Sequence, residues 1–550
     1  MPSSRATAAA LAAALACLTT LAAAPALRAQ ATSATPASGT GPTTSVVRPR
    51  TTYEDLQLLS GVLNQIRVNH PDSVDTHTLL MAAIRGMVSA ADPHSYFIPA
   101  VQLDAEREKM RREGKLYPVG IDFVFYDGSP VVRAVYPGSS PARADVIPGD
   151  ELIAVDGKPV AATSPMELDV AIAGPKGSTV SLLFERERAD GSLVQLTRVV
   201  TRERLDEVTS VPAAFMLDSS TGYARITNFT TDRVADDLHA ALDRLEKQGM
   251  HRLVLDLRDN GGGSVDLAAH VAGEFLPKGA LVYTQSGRKR EVTDTSRVKR
   301  SFWRSERRYP IVVLVNNGTA SASELVAGAL QDHDRALVVG RPTFGKSLVM
   351  YPFPLPDGSL FWMVAGHLNT PCGRVIQRDY RGIPEHEYFR RAGADTTPGN
   401  RPSCKTDAGR TVYGGGGIYP DVLTPKGSLR PVWLSRLYED ALPLKWTNGY
   451  VAANGAALAS LDAFAAHPEL PAAAIAQFRT YAKAQGATIP DGAEADTLLQ
   501  RALTRSVADA KWGDAGYYRV AALLDADVSR GVAAFARAAA LTGPATDAAK

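Results

Sequence analysis

The chain has 550 residues, enough for three or four domains at roughly 100 to 200 residues per domain. Its 60 Lys and Arg residues nearly balance its 58 Asp and Glu residues, so the formal charge of +2 gives no reason to expect a nucleic-acid partner or binding to a charged membrane surface. Beyond the N-terminal segment, no stretch has the roughly 20 unbroken apolar residues that a membrane span requires.

Residues 1–29 combine a basic residue near the start, an apolar run of alanine and leucine, and a small-residue exit at Ala29. This pattern predicts a secretory signal peptide. Residues 30–50, rich in Ser, Thr, Pro and Gly, predict a flexible linker. We therefore expect an exported protein, periplasmic or extracellular. Cys17 leaves open a lipid anchor and membrane association, although the Ala and Leu before it make a poor acylation signal.

Residues 51–114 are predicted to form a small helical region. Apolar residues recur there at intervals of three and four, as in amphipathic helices, and include Leu56, Leu59, Val62, Leu63 and Ile66. The Asp-Pro pair in ADPHSYF, residues 91–97, predicts a turn after these helical runs.

Residues 115–205 change to short β-like runs, VGIDFVFYDG, PVVRAVY, ELIAVDG and VSLLFERE, with one helical piece, SPMELDVAIAG. The segment GSSPARADVIPGD running into a strand resembles PDZ domains. That resemblance implies a groove that captures a peptide's free carboxylate, with the loop formed here by Val119, Gly120, Ile121 and Asp122. Asp122 stands where an apolar residue is more usual, and a β-rich module without a ligand is the alternative.

In residues 206–430, β-like runs alternate with helical ones, which predicts an α/β core with a largely parallel sheet. Residues 431–550 are alanine-rich and predict a helical region that serves packing or assembly. One strand-to-helix turn of the core is RDNGGGS, residues 258–264. Its glycines allow backbone amides to face an anion, either as an oxyanion hole or as a phosphate cradle, but neither nucleotide-binding glycine pattern is present.

A second strand-to-helix turn, GTASASE, places three hydroxyl residues before a helix. Ser321 and Glu324 match the S-x-x-E capping box, so the hydroxyl at 321 can cap the helix, act as a nucleophile, or both. A nucleophile needs a base. His333 lies at a polar helix end and is expected to be exposed and solvated, whereas Lys346 has apolar neighbours that favour its neutral form.

The run NNGTASASELVAGALQDHDRALVVGRPTFGKSLV resembles the active-site region of the carboxyl-terminal processing peptidases, or tail-specific proteases. GMVSAADPHSYF, GYARITNF, LVLDLRDNGGG, TPCGRVIQ and GGGIYPDV match further motifs in the same order. The resemblance implies a crotonase- or Clp-protease-like α/β core with an inserted PDZ domain. It implies Ser321 as nucleophile, Lys346 as general base, the amides of Gly262 and Ala322 as oxyanion donors, and Asp332 as a supporting residue.

Two departures from the family pattern affect this prediction. The family carries a glutamine four residues after the lysine, thought to orient it, and this chain has Met350, which cannot donate a hydrogen bond. About forty residues between Gln377 and Gly417 resemble an insertion of some extended members. Cys372 and Cys404 flank a Pro- and Gly-rich part of it, and either a disulfide or two free thiols fits the sequence.

The sequence thus predicts an exported serine endopeptidase that cleaves proteins near their C-termini, with no cofactor and no metal. Its partners are protein or peptide substrates with accessible C-termini, and a homo-oligomer is compatible with the sequence. The alternative prompted by Met350 is a PDZ adaptor that binds peptides on the same scaffold but has lost an oriented base. A nucleotide-binding α/β protein is a third, weaker alternative.

Overall fold

The structure is a computed structural model. It describes residues 50–541 except positions 127, 137–138, 163–164, 189, 204–208, 290, 300–305, 391–398, 400 and 428–429. The predicted signal peptide, Cys17 and all of the predicted linker except its last residue lie outside the described residues. The chain divides after Thr76 into two compact units. The first contains helix α1 (Thr52–Asn69), which begins with a capping box between Thr51 and Glu54.

The second unit begins with a helical region, as predicted, but also contains a strand that the sequence did not predict. Its elements are α2 (Thr76–Ala91), β1 (Tyr96–Ile98) and α3 (Ala100–Glu113). The predicted turn before β1 is present. Asp92 Oδ1 accepts the N–H groups of His94 and Ser95, each at 2.7 Å.

A six-stranded antiparallel sheet follows, in the strand order β2-β3-β4-β6-β7 with β5 beside β4. Its elements are β2 (Ile121–Tyr126), β3 (Ser129–Val135), α4 (Ser140–Arg143), β4 (Glu151–Val155), β5 (Lys158–Pro159), α5 (Pro165–Ile172), β6 (Thr179–Glu187) and β7 (Leu193–Thr201). Helix α5 packs beside β2 and contributes Leu168 and Ile172 to the core beneath the sheet. The four predicted strands and the predicted helix are all present.

The α/β region contains a second six-stranded sheet in the order β19-β14-β13-β10-β9-β8. The elements from its start through the insertion are β8 (Ala213–Met216), β9 (Thr221–Arg225), α6 (Val234–Lys247), β10 (Arg252–Asp256), α7 (Val265–Ala272), β11 (Leu281–Ser286), β12 (Val292–Arg297), β13 (Ile311–Val315), α8 (Ala322–Asp332), β14 (Leu337–Gly340), β15 (Leu348–Pro354), β16 (Leu360–Asn369), α9 (Glu385–Arg390), β17 (Ser403–Lys405), β18 (Thr411–Tyr413) and β19 (Val422–Leu423). Every neighbouring pair in this sheet is parallel except β8 with β9, which confirms the predicted largely parallel sheet.

The remaining strands of this region form two smaller sheets. Strands β1, β16, β11 and β12 pair in that order, and β15 joins as an antiparallel partner of β16. Strand β1 thereby attaches the ADPHSYF segment to β16, far along the chain, in the register Tyr96 to Trp362. The insertion adds the hairpin β17-β18.

The C-terminal region is helical, as predicted. It contains α10 (Val432–Glu439), α11 (Leu442–Ala453), α12 (Leu461–Ala466), α13 (Ala472–Ala484), α14 (Ala493–Leu523, with a kink at Gly513), α15 (Ala526–Ala533) and α16 (Phe535–Leu541). Helices α10 to α14 share an apolar core of their own. None of the helices in the described ranges is long and apolar enough to span a membrane.

The parallel sheet is covered on both faces, which explains why its central strands are continuously apolar. Helices α6, α7 and α8 pack on one face around residues such as Leu255 and Val313. The end of α14, with α15 and α16, packs on the other face against Val254, Val312 and Leu314. The C-terminal helices are therefore part of the core of the α/β region.

Candidate active site

Two strand-to-helix turns meet at one edge of the parallel sheet, because β10 and β13 are parallel neighbours and their C-terminal ends lie side by side. Backbone and side-chain hydrogen bonds join the turns. Ala320 N–H donates to the Asn260 carbonyl at 2.9 Å, and Ser323 Oγ donates to the same oxygen at 3.0 Å. Thr319 Oγ1 donates to Leu257 O at 2.8 Å. Thr319 and Ser323 thus hold the two turns together.

Ser321 immediately precedes α8 and has φ 58° and ψ −120°, a backbone conformation that residues other than glycine rarely adopt. Such a conformation costs on the order of 1 to 3 kcal/mol and persists only where surrounding contacts impose it. Its neighbours Thr319 and Ser323 are fully buried, whereas Ser321 keeps partial exposure. Backbone strain and exposure therefore single out Ser321 among the three hydroxyl residues of the turn.

The glycine turn touches the Ser321 turn at Gly262, whose φ is +100°. A Cβ atom built on Gly262 would lie 2.7 Å from Ala320 O, 2.8 Å from Ser321 Cβ and 2.9 Å from Ala322 N. These distances are shorter than any normal carbon contact, so only glycine fits there.

The two predicted oxyanion donors differ in their present partners. The Gly262 N–H donates to Asn260 Oδ1 at 2.9 Å, and the fully buried Asn260 is itself held by its Nδ2, which donates to Ile226 O at 3.0 Å. In the described part of the chain, no acceptor takes the Ala322 N–H, which points out of the first turn of α8. In this structure the Ala322 N–H is therefore available to bind an oxyanion, whereas the Gly262 N–H already donates to Asn260.

Glu324 connects the Ser321 turn to the segment that carries Lys346. Its side chain is fully buried, and each of its two carboxylate oxygens accepts two hydrogen bonds. Oε1 accepts from Thr343 Oγ1 and from Gly345 N–H at 2.8 Å, and Oε2 accepts from Ser321 N–H at 2.8 Å and Lys346 N–H at 2.9 Å. The bond from Ser321 is the one that the capping-box pattern predicts. The same carboxylate therefore holds the predicted nucleophile and the predicted base.

Burial raises the pKa of Glu324 to about 7, although its four hydrogen bonds act in the opposite direction by favouring the ionised form. Because donors occupy both oxygens, a proton added to this carboxylate would displace one of them.

Lys346 is partly buried and lies just before β15. Its segment is also tied to the Ser321 turn by Phe344 N–H, which donates to Thr319 O at 2.9 Å. Met350 lies on β15 opposite Val364 of β16, at a register shift in the pairing.

Asp332 and His333 lie at the opposite end of α8 from Ser321. Asp332 is buried, pairs with Arg374 at 2.7 Å and accepts the Cys372 N–H at 3.1 Å, so it anchors the TPCGR segment. The expectation of an exposed, solvated His333 is wrong. Its side chain is 17% exposed, and its two ring nitrogens lie 2.7 Å from Asp407 Oδ2 and from Leu281 O.

Cys372 and Cys404 form a disulfide, which decides between the two alternatives that the sequence left open. Their sulfur atoms and a carboxylate oxygen of Asp332 lie within 4.8 Å of one another. The disulfide removes both thiolates, and Arg374 neutralises Asp332, so this group of three residues lacks the donors that a metal ion would need.

The structure also identifies residues that the sequence did not single out. Asp256, at the end of β10, is fully buried between Arg225 and Arg258. Burial alone would raise the pKa of Asp256, but these two cations hold it well below its usual range. Arg258 also pairs with Asp525 at 2.9 Å and so links the glycine turn to α15. In the sequence, the signal that could have indicated these residues was the group of charged residues in the LDLRDN run.

The segment predicted to bind a peptide carboxylate lies at the start of β2, beside α5. Val119 and Ile121 are buried in the module's core, and Gly120 has φ +90°. Asp122 of β2 lies near Asp169 of α5, and Asp169 is exposed. Desolvation and the nearby carboxylates of Asp122 and Glu106 raise the pKa of Asp169. Carboxylates of β2, α3 and α5 therefore lie close together on this side of the module.

Comparison with known proteins agrees with this architecture. Residues 220–388 match the profile of peptidase family S41, and residues 131–186 match that of the PDZ domain. Over 334 residues the chain is 31% identical to the carboxy-terminal-processing protease of Bartonella bacilliformis, covering 59% of this chain and 73% of that protein.

Further relatives are the carboxyl-terminal-processing peptidase 2 of Arabidopsis thaliana, 32% identical over 58% of this chain, and the carboxyl-terminal-processing protease of Synechocystis, 36% identical over 45% of it. The chain spans 62% and 56% of the length of these two proteins, respectively. Among solved structures, a photosystem II D1 C-terminal processing protease aligns over 68% of this chain and 94% of its own, with a TM-score of 0.46 and 24% identity.

A PDZ module and an S41 core in one chain define a protein of the processing-protease class. The chain belongs to the carboxyl-terminal processing proteases of peptidase family S41, a family of serine-type peptidases.

Proposed function

We propose that this chain is a serine endopeptidase that cleaves proteins near their C-termini with a dyad of Ser321 and Lys346. The observation that carries this proposal is the shared carboxylate of Glu324, which binds the backbone N–H groups of both residues. The strained conformation of Ser321 and the close approach of Gly262 support the same assignment.

In the proposed cycle, neutral Lys346 takes the proton of the Ser321 hydroxyl while Ser321 Oγ attacks the peptide carbonyl. The Ala322 amide, at the positive end of α8, stabilises the oxyanion. Gly262 contributes the second donor when its bond to Asn260 is exchanged for one to the substrate. Lys346 then returns the proton to the leaving amine, and water hydrolyses the acyl enzyme.

The proposed division of the chain follows these roles. Residues 1–29 are the signal peptide and 30–50 the linker, so the enzyme works outside the cytoplasm, and 51–114 form the helical lead-in. Residues 115–205 are the PDZ domain that engages the substrate's tail, 206–430 the protease core that cleaves it, and 431–550 the helical region that completes the core. The disulfide supports export, because such bonds persist in oxidising compartments.

The neighbouring carboxylates of Asp122 and Asp169 support a further preference, for tails with a basic residue next to the C-terminal residue. Two fluorescent peptides that differ only in Lys or Glu at that position test this, and the Lys peptide should bind about two- to fivefold more tightly, as for a partly exposed ion pair. Asp169→Asn should reduce the difference. Equal binding of the two peptides would contradict the proposed preference for a basic residue, but it would not bear on the proposed dyad.

The proposed dyad is tested with an unfolded protein that has an apolar tail, with products identified by mass spectrometry. Ser321→Ala and Lys346→Arg should each abolish cleavage, since arginine remains protonated and cannot act as a base. Ser347→Ala and Lys445→Ala are matched controls that should retain activity. The Ser347 hydroxyl is buried without a hydrogen-bond partner among the described residues, so its loss should be harmless.

The competing function is a PDZ adaptor without catalysis. It predicts that tail peptides bind while neither cleavage nor labelling of Ser321 by a serine-directed acylating probe occurs. Full cleavage by Ser321→Ala would refute the dyad, whereas binding without any wild-type cleavage would favour the adaptor.

A further inference from the structure

Hydrogen bonds fix the peptide groups on both sides of the Lys346 Cα atom. Lys346 N–H donates to Glu324 Oε2 at 2.9 Å, and Ser347 N–H donates to Gln377 Oε1 at 2.9 Å. Two planar peptide groups meet at each Cα, and their orientations determine the direction of the Cα–Cβ bond. Glu324 and Gln377 therefore set the direction in which the Lys346 side chain leaves the backbone.

The amide of Gln377 is held in one orientation. Its Nε2 donates to Tyr388 Oη at 3.0 Å and to Arg378 O at 2.9 Å, so both amide hydrogens have acceptors. Rotating the amide by 180° would place its NH2 group against the Ser347 N–H, donor against donor. The two bonds at Nε2 thus keep Oε1 directed at Ser347.

Tyr388 extends this arrangement to a residue far away in the sequence. Its hydroxyl accepts from Gln377 and lies 3.0 Å from His94 Nε2. The Tyr388 O–H can donate to His94 Nε2 when that ring nitrogen carries no hydrogen. His94 belongs to the ADPHSYF turn, whose Asp92 carboxylate accepts the His94 backbone N–H at 2.7 Å.

Tyr388 belongs to an apolar cluster that includes Ala320 of the Ser321 turn. Tyr388 and Phe389 of α9 pack with Phe344 and with Ala320 of the turn. The His94 ring packs edge-on against Tyr388, with ring centroids 5.5 Å apart. Tyr388 is 1% exposed, so water does not compete for its hydrogen bonds.

We propose that His94, Tyr388 and Gln377 form a positioning relay that orients Lys346 through the Ser347 amide. The relay orients the backbone of Lys346, the proposed base. Met350, at the position of the family's usual glutamine, cannot do so through a side-chain hydrogen bond, because it has no group that can donate one. The relay gives the insertion a role, because α9 supplies Tyr388. The inference rests on the proposed function for its effect on rate, but the hydrogen bond at Ser347 can be measured independently of proteolysis.

Tyr388→Phe is the sharpest variant, because it deletes one hydroxyl and keeps the packed ring. We expect kcat to fall about tenfold, the equivalent of one hydrogen bond, with KM unchanged within about twofold. The Ser347 amide should exchange its hydrogen at least about tenfold faster, while amides in β13 remain as protected as in the wild type. His94→Ala should act like Tyr388→Phe, and His94→Gln, whose amide can still meet the tyrosine hydroxyl, should recover a third or more of the lost rate.

Full-length Tyr380→Phe is the matched control, since Tyr380 borders the same cluster outside the relay and should leave both measurements unchanged. Unchanged Ser347 exchange in both Tyr388→Phe and His94→Ala would overturn the relay, as would faster exchange with an unchanged kcat. If Ser321→Ala still cleaves substrate, the proposed function fails, and the exchange measurement alone then decides whether the relay holds Ser347.

Discussion

Ser321 and Lys346 donate their backbone N–H groups to the same atom, Oε2 of Glu324, at 2.8 and 2.9 Å. A residue that a sequence pattern marks as a helix cap thus also fixes the distance between the backbones of the nucleophile and the base that we propose. Movement of this carboxylate would displace both residues together.

Glu324→Gln should damage both activity and stability. An amide has a single acceptor oxygen, and its NH2 group would face donors that now bind the second carboxylate oxygen. At about 1 to 3 kcal/mol for each buried donor left unsatisfied, we expect a loss of about 2 to 5 kcal/mol in urea unfolding. The cleavage rate should fall about 100-fold because the two reacting groups shift. Glu494→Gln, at an exposed site, is the control, and equal stability of the two variants would contradict the role of Glu324.

The raised pKa of Glu324 predicts opposite effects of pH on stability and activity. Its pKa is about 7 in the fold against 4.5 as a free side chain, so the folded state binds the proton more tightly than the unfolded state. Between these pH values the free energy of unfolding should fall as pH rises, by up to about 3 kcal/mol from this group. Cleavage should increase over the same range because the ionised form accepts all four donors. Urea titrations at pH 5 and 8 measure the first effect, and Glu324→Gln should lose this part of the pH dependence.

Two neighbouring glycines offer a matched test of the close approach between the turns. Gly262→Ala should lower the cleavage rate about 100-fold and cost about 2 to 5 kcal/mol, because its Cβ would overlap Ser321 Cβ and Ala322 N in a positive-φ conformation. Gly261→Ala should be tolerated, since no atom lies within 4 Å of its Cβ position. Equal behaviour of the two variants in cleavage and thermal unfolding would rule out the contact.

Reduction of the disulfide between Cys372 and Cys404 should destabilise the insertion that carries α9. The disulfide joins Cys372 to Cys404 across 32 positions, for which chain-entropy arguments give about 3 to 4 kcal/mol. Wild-type protein should therefore melt at a lower temperature with a reductant, and the double variant Cys372→Ser, Cys404→Ser should be insensitive to it. Thiol titration of the unfolded, unreduced protein that finds Cys372 and Cys404 both free would contradict the bond.

Met350→Gln should change the cleavage rate by no more than about twofold. The hydrogen bonds at Glu324 and Gln377 already fix the Lys346 backbone, so a new amide at position 350 adds little. An increase of more than about tenfold in the cleavage rate would show instead that the natural protein is slow because it lacks this glutamine. Steady-state kinetics on one substrate distinguish the two outcomes.

Much of the fold followed from local patterns. The alternation of apolar runs predicted the parallel sheet, since buried strands and amphipathic helices leave different periods in the sequence. The two turns that build the candidate site were recognisable because glycines and hydroxyl residues are concentrated where strands pass into helices. Strand β1 was missed, because three residues after a turn carry no period and depend on pairing with β16.

The contacts within the site were less predictable. Nothing local marks Asn260 as the acceptor of the Gly262 amide, and nothing links His94 to Tyr388, nearly three hundred positions apart. His333 was misjudged because its polar surroundings in sequence suggested solvent, whereas the fold places Asp407 and a backbone carbonyl beside it. These relationships depend on tertiary packing, which one sequence read by pattern does not contain.

The C-terminal helices have a consequence for the order in which the enzyme is assembled. Val254 and Leu314, in the middle of the parallel sheet, remain uncovered on one face until Tyr518, Phe535 and the helices around them have been synthesised. Arg258, at the start of the glycine turn, likewise lacks its ion-pair partner Asp525 until that residue has been synthesised. A chain released early would have every residue of the candidate site and yet an incomplete core, so proteolytic competence should arise only after the last helices have been made and have docked.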